Sequence, residues 1–308
     1  MHAEVCLQTA EDGTELFGLA HDPPDGARDT ALVYVHGLGS TGTSHLANGL
    51  AAELPGRGIG VVRGDLREAD LLRIDELPGP GRVRKGGGAF HTFQDGVTDA
   101  GVWVEAARAR GYRHLVLFGH SLGSLRATQY LADRVADDVT GLVLASTADL
   151  IAMHASRYDR AQLEEYLELA RRYVAEGRGE EIMPPECSVG LMRQPISATA
   201  YVDRFGDDPS WDVMDLYDRG SARAFRALRQ IDVPILATFG TRNETVPFDR
   251  VEAVFDRLAI EAAAAPSFQT QVIDGADHFY LGFADQLARR VGDWIAALGK
   301  DDAGDAHE

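Results

Sequence analysis

Residues 114–123 read His-Leu-Val-Leu-Phe-Gly-His-Ser-Leu-Gly. His114–Phe118 is an apolar run of strand length, and Leu125, Ala127, Thr128 and Leu131 follow at helical spacing. Between them lies Gly119-His120-Ser121-Leu122-Gly123, which fits G-x-S-x-G. The pattern alone is weak, but a strand, a sharp turn and a helix in that order give it weight. Glycines two before and two after the serine let the chain turn without Cβ clashes. The helix start puts Ser121 at the positive end of a dipole. It also leaves the Leu122 N–H free to face an oxyanion.

Working outward, continuous apolar runs recur at Ala31–Val35, Gly58–Val62, Gly141–Ala145, Pro234–Phe239 and Thr270–Ile273. Unbroken hydrophobicity suits strands buried on both faces of a parallel sheet. Helical patterns lie between or after them, at His45–Leu54, Phe93–Arg110, Ser121–Arg134, Asp249–Ala263 and Phe283–Leu298. This alternation predicts a doubly wound α/β sheet. Two earlier strands, Glu4–Thr9 and Glu15–His21, read as a hairpin about Glu11-Asp12-Gly13.

The alternation breaks between Ala145 and Pro234. There Arg160–Glu176 patterns as an amphipathic helix with Leu163, Tyr166, Leu167, Ala170 and Val174 on one face. Residues 149–230 are therefore expected to form a helical cap over the carboxyl ends of the strands, where open α/β sheets bind ligands. The core is expected from 1–148 and 231–300, with 301–308 a flexible acidic tail. Arg63–His91, with Pro78-Gly79-Pro80-Gly81 and Gly86-Gly87-Gly88, reads as a loop bordering the site. It lacks the G-x-x-x-x-G-K-[ST] of a phosphate cradle.

The net charge over 308 residues is 30 − 48 = −18. So acidic a surface repels phosphate backbones and anionic headgroups, so nucleic acid and membrane are not expected partners. Cys6 and Cys187 give neither a metal-ligand spacing nor a disulfide framework, and read as two free thiols. No cofactor or metal is expected. Met1–Ala10 lacks the pattern of a signal peptide, no stretch approaches a membrane span, and the chain reads as cytoplasmic. Oligomeric state leaves no mark on the sequence.

A serine hydroxyl needs a base to become a nucleophile near neutral pH. His278, in Ile273-Asp274-Gly275-Ala276-Asp277-His278-Phe279 after the last strand, is that candidate. The other histidines after Ser121 are His154, at the start of the insertion, and His307, in the tail. His36-Gly37-Leu38-Gly39-Ser40 follows Ala31–Val35. Its Leu38 N–H is the candidate second oxyanion donor, with His36 bracing the loop. Asp277 is expected to pin its own loop. The charges of Arg63-Gly64-Asp65-Leu66-Arg67 are expected to fix a loop through salt bridges, with a substrate carboxylate as the alternative partner. His91 could line the pocket or lie at the surface.

With these residues the chain resembles α/β-hydrolases of the serine esterase and peptidase type, from His36-Gly37 through Gly119–Gly123 to Gly275–Phe279. The stretch from Arg63 through Gly86-Gly87-Gly88 to Trp103 is similar to a bacterial branch related to fungal siderophore esterases. The resemblance implies an α/β-hydrolase fold, with an eight-stranded, mostly parallel sheet whose second strand is antiparallel. It also implies metal-free acyl transfer, with an acid on a G-x-x-D-x-x-V-P pattern after the seventh strand. Here that segment reads Gly240-Thr241-Arg242-Asn243-Glu244-Thr245-Val246-Pro247, with Asn243 in the aspartate position. Three residues compete to orient His278. Glu244 is one residue on, Asp149 follows the sixth strand, and Asn243 itself could fix a tautomer without compensating charge. The expected activity is hydrolysis of a small-molecule ester, thioester or lactone through an acyl-enzyme on Ser121. Acyl transfer or cyclisation on the same fold, and a non-catalytic ligand-binding role, are the alternatives.

Overall fold

The computed structural model describes residues 2–133, 138–246 and 250–304. Its strands are β1 (Glu4–Thr9), β2 (Glu15–His21), β3 (Thr30–Val35), β4 (Ile59–Gly64), β5 (Arg73–Glu76), β6 (Val83–Gly86), β7 (His114–His120), β8 (Val139–Ala145), β9 (Ile235–Arg242) and β10 (Phe268–Asp277). Eight of them form one sheet in the order β1-β2-β4-β3-β7-β8-β9-β10. β2 is antiparallel to both neighbours, and every pairing from β4 to β10 is parallel. This is the α/β-hydrolase arrangement that the resemblance implies.

Helices α1 (His45–Glu53) and α8 (Ala284–Gly304) pack on one face of the sheet and α2 (Phe93–Ala109), α3 (Leu122–Asp133) and α7 (Val251–Glu261) on the other, while α4 (Leu150–Ala155), α5 (Arg160–Ala175) and α6 (Ala198–Phe205) belong to the insertion. The central strand β7 shows why its sequence runs apolar without alternation. Leu115 and Leu117 join one core layer with Trp103 and Leu144, while Val116 and Phe118 join the other with Val143, Tyr280 and Trp294. All four β7 side chains are fully buried, each worth about 1.5–3 kcal/mol relative to exposure. Helix starts follow local chemistry. Thr92 and Asp95 form a reciprocal capping box at α2, and Asp159 and Gln162 do the same at α5.

Several expectations need correction. Arg63–His91 is no simple loop, because it folds back as the antiparallel hairpin β5–β6. α8 runs past Leu298 to Gly304, so a tail from 301 begins inside a helix; residues 305–308 lie outside the described residues, as do Arg134 and Asp249, placed at helix ends by the sequence. On α5 Ala170 is buried and Leu163, Tyr166 and Leu167 are half-covered, but Val174 is 42% exposed.

α4, α5 and α6 all lie between β8 and β9. Arg204, buried on α6, ties this insertion to the rest. It donates to Gly88 O (2.6 Å) and His91 O (3.1 Å) and pairs with buried Glu68 (3.2 Å). Glu68 also pairs with Arg126 of α3. No helix among the described residues is long and apolar enough to cross a membrane.

Candidate active site

At the carboxyl end of β7 the chain turns within one residue. Ser121 N–H still donates to Ala145 O (2.9 Å) as though the strand continued. Ser121 then adopts φ +55°, and Leu122 opens α3. A serine held in the left-handed region costs roughly 1–3 kcal/mol and persists only where its surroundings impose it. The glycines are required by close approach, not by their own torsions. A Cβ at Gly119 would collide with Ser124 Cα, and one at Gly123 with the Val35 carbonyl.

His278 arrives from the far side. β10 pairs with β9 in register as far as Ile273, then bulges before pairing resumes at Asp277. Thr241 pins the bulge, its hydroxyl accepting from Gly275 N–H (2.8 Å) and donating to Asp274 (3.1 Å). Asp277 Oδ1 accepts from Phe279 N–H (3.0 Å) and Leu281 N–H (2.9 Å), the loop-pinning expected of it. The His278 main chain is held at both ends. Its N–H donates to Glu244 Oε2 (3.0 Å), and its carbonyl accepts from His120 Nε2 (2.8 Å). The ring is thus delivered to the elbow, with Nε2 3.0 Å from Ser121 Oγ.

The partner of the other ring nitrogen is a residue the sequence reading missed. His278 Nδ1 lies 3.3 Å from Thr245 Oγ1, and the Thr245 hydroxyl donates to Asn243 Oδ1 (2.7 Å). Among the described residues no carboxylate touches the ring. Glu244, the first candidate, is corrected: its carboxylate is engaged by the His278 main-chain N–H. Asp149 is corrected as well. It caps α4 through Ala152 N–H, accepts from Leu216 N–H and pairs with Arg219 (3.0 Å), all within the insertion. Asn243 does bear on His278, but through Thr245. Spacing could not reveal this, since nothing in Asn-Glu-Thr-Val distinguishes which side chain turns inward. Burial, and then the neighbouring His120, hold the His278 ring well below the ordinary histidine range, so it is neutral at pH 7.

On the oxyanion side, Leu122 is the first residue of its helix, so its N–H has no carbonyl one turn back. The Leu38 N–H donates to no acceptor among the described residues. The Leu38 loop lies against the elbow, since a Cβ on Gly37 would sit 3.1 Å from Ser121 Cβ. His36 braces this loop: Nε2 accepts from Leu66 N–H (2.9 Å), so Nδ1 carries the proton and donates to Gly37 O (2.8 Å). Burial lowers its pKa to about 3, which keeps that arrangement neutral.

Two further candidates lie elsewhere. The Arg63–Arg67 segment does fix a loop through salt bridges, made by Arg67 to Asp12 (2.8 Å), Asp99 (3.0 Å) and Asp95 (3.3 Å), while Arg63 itself donates to His21 Nε2 (3.1 Å), Gly42 O (3.2 Å) and Asn48. His91 neither lines the cleft nor lies at the surface; it is buried against Asp75 (2.9 Å). Cys6 and Cys187 are buried free thiols.

Ser121 and His278 open onto a narrow cleft of about 70 Å³, walled by Leu38, Leu150, Met153 and Met192, with Gln194 and Ser40 as polar groups. Among the described residues its lining holds no Asp, Glu, Lys or Arg. A wider concavity of about 540 Å³, beside Ala20, Asp22, Pro55 and Arg110, contains none of the residues named for chemistry.

Comparison with known proteins agrees with this fold. Residues 26–282 match the family described as serine aminopeptidase, S33 (Hydrolase_4). Phospholipase YtpA of Bacillus subtilis (strain 168) is 30% identical over 73 residues, which span 24% of this chain and only 28% of YtpA. Among solved structures, Est1E from Butyrivibrio proteoclasticus superposes with a TM-score of 0.61 at 15% identity, covering 96% of this chain and 98% of its own; it has also been solved with ferulic acid bound. The α/β hydrolase GrgF from Penicillium sp. sh18 gives 0.64 at 14% identity, over 97% and 99%. At such identities these two show the fold alone. The family match spans most of the chain, which therefore belongs to the serine aminopeptidase S33 family of α/β-hydrolases.

Proposed function

We propose that the protein hydrolyses a carboxylic ester, thioester or lactone of a small molecule through an acyl-enzyme on Ser121. The observation that carries this reading is the 3.0 Å approach of His278 Nε2 to Ser121 Oγ in a cleft where no charged side chain lines the wall among the described residues. His278 takes the Ser121 proton as Oγ bonds to the acyl carbon. The oxyanion that forms is held by the N–H groups of Leu38 and Leu122. The bond to the leaving group then breaks, and the Nε2 proton passes to the departing oxygen or sulfur. Water repeats the sequence and frees the carboxylic acid. Residues 149–230 act as a helical cap, supplying Leu150, Met153 and Met192 to the cleft.

The family includes peptidases, but an aminopeptidase must hold the α-ammonium of its substrate. A carboxylate in the pocket is the usual means, and the cleft lining has none among the described residues. An apolar acyl group meets no such demand. The ferulic acid bound to Est1E and the phospholipase name of YtpA fit acyl-ester chemistry, as does the likeness to the branch related to siderophore esterases. A rate panel tests the reading. Short-chain p-nitrophenyl esters should be turned over at least ~100-fold faster, by kcat/KM, than aminoacyl p-nitroanilides. Faster anilide cleavage would reverse the assignment.

A further inference from the structure

We propose that Thr245 is the positioning residue of this site: its hydroxyl fixes the tautomer of His278, and Asn243 fixes the direction of that hydroxyl. The inference rests on the reading of Ser121 and His278 given above. It follows from donors whose direction is not in doubt. The main-chain N–H groups of Thr245 (2.8 Å) and Val246 (3.3 Å) both point at one atom of the Asn243 amide. A main-chain N–H can only donate, so that atom is the oxygen, Oδ1. The Thr245 hydroxyl, 2.7 Å from the same oxygen, must donate to it as well. Its proton is thereby committed, and only its lone pairs face His278 Nδ1. Nδ1 therefore carries the ring proton, and Nε2 is left bare to accept from Ser121.

The far side of the amide is equally ordered. Asn243 Nδ2 donates to Ser146 Oγ (2.9 Å), Ser146 donates to Tyr280 (3.0 Å), and the Tyr280 hydroxyl donates to Thr238 O (3.0 Å). Ser146, Tyr280 and Thr238 are wholly buried. The chain from Ser121 to Thr238 thus consists of neutral groups with every proton assigned. It does one half of an aspartate's task, setting the tautomer, and leaves out the other half, placing a negative charge beside the imidazolium. A base so held suits acyl groups with good leaving groups, for which less positive charge accumulates on the ring.

The test compares Thr245→Val, which keeps shape and removes the hydroxyl, with Thr245→Ser, which keeps the hydroxyl. With p-nitrophenyl acetate, Thr245→Val should lower kcat about 100-fold with KM within about twofold. Thr245→Ser should stay within about fivefold of wild type. Histidine ring ¹⁵N spectra, assigned with His278→Gln, should show the Nδ1–H tautomer in the wild type. Should Thr245→Val fail to fold, that tautomer decides alone. Full activity in Thr245→Val, equal losses in both variants, or an Nε2–H tautomer in the wild type would overturn the proposal. Failure of the underlying reading looks different: a folded wild type that neither turns over p-nitrophenyl acetate nor forms an adduct at Ser121.

Discussion

Ser121 holds its left-handed backbone because both sides of the turn are committed, its N–H to β8 and its carbonyl to the Ser124 N–H (3.0 Å). Nearly all of that arrangement was legible in the sequence, since a strand, two glycines and a helix start are local features. His278 was legible for the same reason, as a histidine just past the last strand. The residue behind it was not. Which of Asn243, Glu244 and Thr245 turns inward depends on the backbone after β9, and three polar residues in a row carry no periodicity to decide it. The role now left to Glu244, accepting a main-chain N–H, gives a sharp expectation. Glu244→Gln keeps an acceptor oxygen and should leave kcat within about threefold of wild type. Were Glu244 the catalytic acid, loss of its charge would cost on the order of 10⁴ in kcat. Steady-state kinetics on this one variant separates the two.

At the scale of elements, strands buried on both faces announced themselves as unbroken apolar runs, and the sheet follows from them. Boundaries moved where pairing outlasts hydrophobicity. β7 continues through Gly119 and His120 because Leu144 and Ala145 of β8 still pair with them, and β9 runs on to Arg242 for the same reason against β10. The β5–β6 hairpin escaped notice because its strands are four residues each and polar, with Asp75 buried only by pairing with Arg73, Arg84 and His91. The β10 bulge was equally silent. It requires Gly240, where a Cβ would collide with the Ala276 carbonyl, and a glycine in a strand signals close backbone approach without saying what approaches.

Across the whole molecule, the acidity of the surface contrasts with an interior rich in neutral histidine. Burial, then Arg63, lowers His21 to about 4; burial lowers His154 to about 4 and His36 to about 3, and shifts His120 and His278 in the same direction. Unfolded, each would protonate near its ordinary 6.5. Below that pH the unfolded chain binds more protons than the folded one, so stability is full above about 6.5 and falls as pH drops toward the folded values. His91, pushed down by burial but pulled up further by Asp75 and Asp95, runs the other way and offsets only part of this. Each depressed histidine contributes at most about 1.4 kcal/mol per pH unit. The urea midpoint should therefore hold steady from pH 8 to 7 and fall between pH 6.5 and 5. A midpoint unchanged at pH 5 would contradict the buried, neutral state of these rings.

The central claim, that Ser121 carries the acyl group, is tested most directly by intact-mass measurement after treatment with a fluorophosphonate, followed by peptide mapping. The wild type should gain one adduct, on the peptide containing Gly119–Gly123, and Ser121→Ala should gain none. Equal labelling of both proteins, or an adduct mapped elsewhere, would contradict it.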